Sequence, residues 1–330
     1  MSDLAGIAKD LSGKKVLSIG DMICDEYIYG EVSRISREAP VLILKFDSNI
    51  FRVGGAANAI SNLKALGARV YPVGVVGKDN AGDEVISFLG KMRVDVDGII
   101  VDKDCSTITK TRIMAGSYHT AKQQVIRVDK EKNFRINSIS ETKMLTYLDE
   151  VLDTMDAVLI SDYGYGTVSK AVYSAISKYA REKKLVLVVD SRYGLLNYKN
   201  ATAVTPNETE VEDIFHCSIN GEKSLCSIAE RLKSEIKCEN AIITQGSKGM
   251  MLLDKRNKST FIPIHGTTDV VDVTGAGDTV SAVVTLALSA GASAVEAARL
   301  ANYAGSIVVM KTGAATATQK ELVDVIEMRK

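Results

Sequence analysis

Short apolar runs recur along the chain, each followed by a longer stretch with helical spacing. The runs at 15–19, 70–76, 99–101, 157–160, 185–189, 203–205 and 241–244 predict strands. The stretches at 59–66, 80–90, 140–152, 167–181 and 225–236 predict helices, with Asn80 capping the second and Pro206 opening a further helix after residue 205. This rhythm predicts a mostly parallel sheet covered by helices on both faces. Residues 27–32, 41–46, 107–114 and 123–128 break the rhythm. They read as strands, the last two as a hairpin across a loop at 115–121. The region from approximately 27–53 and 107–129 is therefore expected to form a small second sheet, a lid over a site or a surface for dimerisation. Residues 250–253 and 260–263 have strand character. The uncharged run 279–295 reads as a buried helix and turn, too short and interrupted for a membrane span, and 294–310 as another helix before a closing loop at 311–314.

Ligands of open α/β sheets sit beyond the carboxyl ends of the strands. Asp21 and Asp25 follow the first strand and Asp162 follows the run at 157–160, so each can accept hydrogen bonds from substrate hydroxyls; ordinary loop acids are the rival reading. Gly54 and Gly55 allow backbone to approach a ligand, and Asn58 at the following helix start can bond a hydroxyl. Arg34 offers paired donors to a phosphate, though a surface arginine fits equally. Lys110, Arg112, Gln124 and Arg127 place polar groups on the hairpin, alternate ones on opposite faces. Asn207 and Glu210 share a helical face if the helix opens at Pro206, and can hold a water on Mg²⁺; helix capping is the alternative. Thr244 leads to Gly246-Ser247-Lys248-Gly249, which suits a nucleotide ribose or phosphate, or a tight hairpin. Asn302 is placed to line an adenine site.

The most informative stretch is Asp272-Val273-Thr274-Gly275-Ala276-Gly277-Asp278-Thr279. Gly275, Ala276 and Gly277 stand where a helix should begin, where unpartnered amides and the helix dipole attract an anion. Asp278 in such a cradle needs a job, and taking the proton from a hydroxyl that attacks phosphorus is one. An Asp-rich turn and cap is the plainer reading.

Composition trims the alternatives. Forty-one basic residues balance 41 acidic ones, which disfavours a nucleic-acid binder but leaves room for a local basic pocket. Five scattered Cys without a CxxC pair suggest reduced thiols, and three dispersed His do not suggest a zinc site. The first fifteen residues lack a signal-peptide apolar region, so a cytoplasmic protein without membrane partners is expected.

Three ordered motifs then carry a resemblance. Gly54-Gly55-Ala56-Ala57-Asn58, Asn207-Glu208-Thr209-Glu210 and Asp272-Val273-Thr274-Gly275-Ala276-Gly277-Asp278 resemble the marks of the ribokinase-like (PfkB) carbohydrate kinases. The resemblance implies a three-layer αβα sandwich with a β lid in one kinase domain over 1–330. It implies ATP as phosphate donor, Mg²⁺ near Asn207 and Glu210, and a sugar or sugar-phosphate acceptor. It leaves open a monovalent cation such as K⁺ and suggests a homodimer through the lid. Within the family, Ile19-Gly20-Asp21-Met22, Asp25 to Gly30, Ser33-Arg34-Ile35-Ser36 and Glu38-Ala39-Pro40 are similar to kinases acting on the anomeric hydroxyl of D-glycero-β-D-manno-heptose 7-phosphate. So are Thr109 to Arg112, residues 124–129 and Ser161-Asp162-Tyr163. Two-domain enzymes of that kind carry a C-terminal nucleotidyltransferase, which is not expected in this sequence. Asp190-Ser191-Arg192 departs from an Asp-Pro-Lys pattern, and the loop at 116–122 looks lengthened. Another sugar, sugar phosphate or nucleoside as acceptor, and a non-catalytic sugar or nucleotide sensor, are the competing readings.

Overall fold

The computed structural model describes residues 3–116, 122–131, 136–266 and 270–328. The first elements are α1 (Leu4–Lys9), β1 (Lys15–Gly20), β2 (Met22–Ile35), β3 (Leu42–Gly55), α2 (Ala56–Ala65), β4 (Arg69–Gly77), α3 (Asn80–Lys91) and β5 (Ile99–Asp102). The hairpin of β6 (Ile108–Gly116) and β7 (Gln123–Lys130) follows. Next come α4 (Ser138–Val151), β8 (Ala157–Asp162), α5 (Lys170–Lys183), β9 (Val186–Ser191), β10 (Ala203–Val204), α6 (Glu208–Phe215) and α7 (Glu222–Ile236). The chain closes with β11 (Asn240–Thr244), β12 (Met250–Leu253), β13 (Ser259–Ile262), α8 (Ala276–Ser289), α9 (Ala294–Val308) and α10 (Gln319–Glu327).

Successive strand side chains point to opposite faces, and here they divide between two cores. Val16, Leu159 and Val188 pack with Ile60 and Leu63 of α2, Val283 and Leu286 of α8 and Leu300 of α9. Leu17, Ile19, Val158, Ile160 and Val189 pack with Met144 of α4, Ile176 of α5 and Leu232 of α7. The result is a three-layer αβα sandwich. Its nine-stranded sheet runs β13-β12-β11-β10-β9-β8-β1-β4-β5, parallel except where β12 meets its two neighbours. Near-continuous apolar runs make such strands legible because both their faces are buried.

The second sheet runs β3-β2-β6-β7, with β2 and β6 parallel and the other pairs antiparallel. The expected strands at 27–32 and 41–46 are pieces of much longer ones. β2 starts buried at Met22 and ends exposed at Ile35, so the sheet leaves the main body as a flap. The chain can turn from β1 straight into β2 because Gly20 has no side chain: a Cβ there would lie 1.8 Å from the Ser161 carbonyl oxygen. Residues 117–121 of the expected lid loop lie outside the described residues.

Several helix starts differ from expectation: α2 and α7 begin three residues early, at Ala56 and Glu222, and α4 two early, at Ser138. Asp79, not Asn80, caps α3, because its extended backbone lets the carboxylate accept from the Gly82 amide at 2.9 Å. α5 begins at Lys170 behind a Ser169 cap, three residues beyond Thr167. α6 begins at Glu208 and not at Pro206, with Asn207 as its cap. α1 and α10, which the sequence pattern did not reveal, are joined by a Lys9–Glu327 ion pair at 3.0 Å. Among the described residues no helix is long and apolar enough to cross a membrane.

Candidate active site

α8 begins where the glycine-rich motif predicts. Gly275 adopts φ +78°, and a Cβ there would come 2.4 Å from Asn58 Nδ2, so both backbone and space demand glycine. No side chain caps the helix. The Ala276 amide is not part of an anion cradle as expected, since it donates to the Val273 carbonyl at 3.2 Å. The amides of Gly275, Gly277 and Asp278 are the donors at the helix start that remain, backed by the dipole. Asp278 is buried between Asn58, whose Nδ2 donates to Oδ2 at 2.7 Å, and Tyr163, whose hydroxyl donates to Oδ1 at 3.0 Å. Burial pushes this carboxyl up to about 7; the two hydrogen bonds oppose that push and the nearby charge of Asp25 adds to it. Asn58 is fixed in turn. Asn62 Nδ2 donates to its carbonyl at 3.0 Å, and Thr279 Oγ1 donates to Asn62 Oδ1 at 2.8 Å, tying α2 to α8.

On the acceptor side, Asp25 is buried and pairs with Arg112 at 2.5 Å. Gly54 makes room for it, since a Cβ there would lie 2.4 Å from Asp25 Oδ2. Gly55, at φ +57°, turns β3 into α2 beside the Asp21 carbonyl. Asp25 stands opposite Arg52 on β3 and Lys110 on β6, while Tyr27 stands opposite Arg112, itself opposite Arg127 on β7. Facing residues share one side of a sheet, so four cations and Tyr27 line the same lid face as Asp25. Arg112 and Arg52 lie over the Tyr27 ring, 5.2 and 5.9 Å from its centre.

Four expected acceptor residues do not join this group. Asp21 is fully buried, and its two oxygens accept the backbone amides of Tyr163, Tyr165 and Thr167 at 2.8, 3.1 and 3.1 Å. Asp162 accepts from the Ser191 hydroxyl at 2.7 Å and the Gly164 amide at 2.9 Å. Arg34 sits exposed on the flap, nine residues beyond Asp25 on β2, which at ~3.3 Å per residue is roughly 30 Å away. Gln124 is exposed opposite Met114, at the level of Tyr29 and farther out than Asp25.

On the nucleotide side, Asn207 and Glu210 form a reciprocal capping box: each side chain accepts the other's amide, at 2.8 and 2.9 Å. The capping alternative is thus realised, and the pair is held at the sheet's carboxyl edge, where Asn207 bridges to Thr244. Gly246, Ser247 and Lys248 form a single helical turn. Gly249, at φ +95° with its Cβ position 2.1 Å from the Ile262 carbonyl, closes the hairpin into β12. Asn302 donates to the Pro263 carbonyl at 2.7 Å and so fixes the loop after β13. Beside it, a cleft of about 400 Å³ lies among His265, Gly266, Ser306, Ile307 and Met310.

Asp190 at the end of β9 is pushed well above the usual carboxylate range by burial, then by the charges of Glu210 and Asp278, with Asp162 contributing less. Among the described residues no three His, Cys, Asp or Glu side chains converge to hold a metal ion. Tyr163, Arg52 and Asp190 are the site residues that sequence reasoning missed. Tyr163 carried a signal as the residue after a strand-end acid and Asp190 as a strand-end acid itself; Arg52 carried none.

A sandwich with a flap beyond its strand ends, and a buried carboxylate at an uncapped helix start, defines a class of proteins suited to group transfer onto a hydroxyl. The chain belongs to the pfkB family of carbohydrate kinases, whose family model matches residues 13–321. It is 36% identical over 308 residues to the bifunctional protein HldE of Geobacter sulfurreducens, covering 93% of this chain and 62% of that protein. It is 40% identical over 310 residues to the HldE of Wolinella succinogenes, covering 94% and 64%. The chain thus spans less than two thirds of the length of these curated relatives. In fold it is similar to Arabidopsis thaliana ribokinase complexed with ribose and ATP, with TM-score 0.74, 19% identity and coverage of 96% of this chain and 99% of that one. Escherichia coli phosphofructokinase-2 in complex with fructose-6-phosphate gives TM-score 0.74 at 16% identity, with the same coverage.

Proposed function

We propose that the protein is an ATP-dependent kinase acting on a phosphorylated sugar, with the anomeric hydroxyl of D-glycero-β-D-manno-heptose 7-phosphate as its acceptor. The observation that carries the kinase reading is Asp278, a buried carboxylate with a raised pKa at the uncapped start of α8. The carboxylate takes the proton as the acceptor oxygen attacks phosphorus, and the Gly277 and Asp278 amides stabilise charge on the transferred group. Mg²⁺ near Glu210 and Asn207 supplies charge neutralisation along the phosphates when bound. The adenine side of ATP falls to the cleft by His265 and Asn302, its size within the range of small-molecule sites.

Support for a phosphate on the acceptor comes from Arg52, the lid-face cation without a carboxylate partner among the described residues; Lys110, Arg112 and Arg127 are ion-paired with Asp129, Glu131 and Asp25. The choice of heptose rests on the resemblance of residues 19–40 and 109–112. We also assign the exposed apolar surface of the flap to a second copy of the chain. The test is ADP release with Mg²⁺-ATP over a panel of acceptors, with K⁺ present or replaced by choline. Turnover of heptose 7-phosphate at least tenfold above ribose and nucleosides is expected. Strong turnover only on unphosphorylated sugars would overturn the acceptor assignment, and retention of near-normal transfer by Asp278→Asn would overturn the base.

A further inference from the structure

The loop between β8 and α5 reaches the base from a direction the strands alone do not supply. Tyr163 donates its hydroxyl to Asp278 Oδ1 at 3.0 Å. Asp21 gathers the loop from beneath, accepting amides from Tyr163, Tyr165 and Thr167. Gly164 and Gly166, at φ +83° and +96°, let the loop curl its amides around one carboxylate. Tyr165 ties the loop to the lid, since its hydroxyl accepts from Lys110 Nζ at 3.0 Å and meets the Glu131 carboxylate. Without Tyr163, Asn58 alone would hold the Asp278 carboxylate, through one oxygen. The terminal torsion of a carboxylate is soft, so one donor fixes its position but not its plane.

We propose that Tyr163 is a positioning residue for the base Asp278, and that Asp21 acts through it by fixing the loop that carries it. The inference rests on the kinase reading above. The groups facing Asp278 are Asn58 from α2, Tyr163 from this loop, Asp25 from β2 and Asp190 from the end of β9; Arg192 acts on Tyr163. Burial, followed by the charge of Asp278, holds the Tyr163 phenol well above its usual range, so it remains a donor across the working pH. A donor to the ionised carboxylate favours ionisation, and its loss has the opposite effect.

Tyr163→Phe keeps the ring and removes only the donor. The acid limb of kcat/KM is expected to move up by about one pH unit, a loss of about tenfold below the limb with near-wild-type activity at pH 9 and an unchanged KM for ATP. Asp21→Asn should move the limb the same way. A loss by the same factor at every pH, or an unmoved limb in Tyr163→Phe, would overturn the role of Tyr163. An unmoved limb in Asp21→Asn alone would confine Asp21 to stability. The ¹³C carboxyl resonance of Asp278, assigned by its loss in Asp278→Asn, reads the same titration without turnover. Turnover of a sugar phosphate with no resonance shift sinks the positioning role and spares the kinase reading. A resonance shift in a protein that turns over no acceptor does the reverse.

Discussion

Burial pushes the Asp278 carboxyl up to about 7 in the folded protein, against about 4 for an aspartate in an unfolded chain. Its protonated form is the one the fold favours, so its contribution to stability is complete below pH 4 and is lost as pH rises through 7. Asp278→Asn escapes that loss. The variant is expected to lose about 10²- to 10⁴-fold in transfer while melting a few degrees above the wild type at pH 8, the gain shrinking by about 2 kcal/mol on going to pH 5. Calorimetry at the two pH values checks this, and a pH-independent difference in melting temperature would refute it. The place of Asp278 at a helix start was legible in the sequence because Gly275 to Asp278 is a local pattern that needs only its own helix. Tyr163 was not, because its function depends on a contact with a residue 115 positions later. Asp21 was legible as important but not as structural. A strand-end acid looks the same whether it faces a ligand or the backbone amides of a neighbouring loop.

At the scale of elements, the site depends on how closely β2 and β3 approach each other at their buried ends. Gly54 has ordinary backbone angles, so space alone excludes a side chain there. Gly54→Ala would place a methyl 2.4 Å from Asp25 Oδ2 and push that carboxylate off Arg112. Loss of a charge-assisted hydrogen bond corresponds to about ten- to a hundredfold, expected as a rise in the acceptor KM with the KM for ATP unchanged. Initial-rate kinetics with each substrate varied in turn would show it; a rise confined to ATP would contradict the placement of Asp25. The strands of the main sheet were legible because burial on both faces writes them as apolar runs. Of the flap strands, β6 and β7 were read almost whole, β2 only in its middle and β3 only over its first residues. The outer half of β2 is solvated and mixed in character, so nothing marked where it ends, and Arg34 was assigned to a site roughly 30 Å from where it lies. The start of α3 was misread by one residue because Asp79 and Asn80 are equally capable caps, and only the backbone angles decide between them.

For the whole molecule, the flap is the feature a single chain leaves unfinished. Ile35, Phe46 and Ile126 are 66, 69 and 53% exposed, and Val41, Leu42, Ile50, Val125 and Val128 are exposed with them. Scattered apolar residues are ordinary on a surface, but Phe46, Ile126 and Val128 gather on the sheet face turned away from Asp25, while Ile50, opposite Tyr27, lies on the other face. The sheet also ends in two strands, β3 and β7, that each pair on one side only within it. A second copy supplies an identical sheet, and a two-fold contact would bury both patches at once. The dimer would also restrain a flap that carries Arg52, Lys110 and Arg112 over the acceptor, so assembly and acceptor binding should be linked. Sedimentation at micromolar concentration is expected to show a dimer, and Phe46→Glu combined with Ile126→Glu a monomer. The monomer should keep its KM for ATP and lose at least tenfold in kcat/KM for the sugar phosphate. A wild-type monomer with full activity would remove the second copy from the flap, and a monomeric variant with unchanged acceptor kinetics would uncouple the flap's dimer contact from its role over the site.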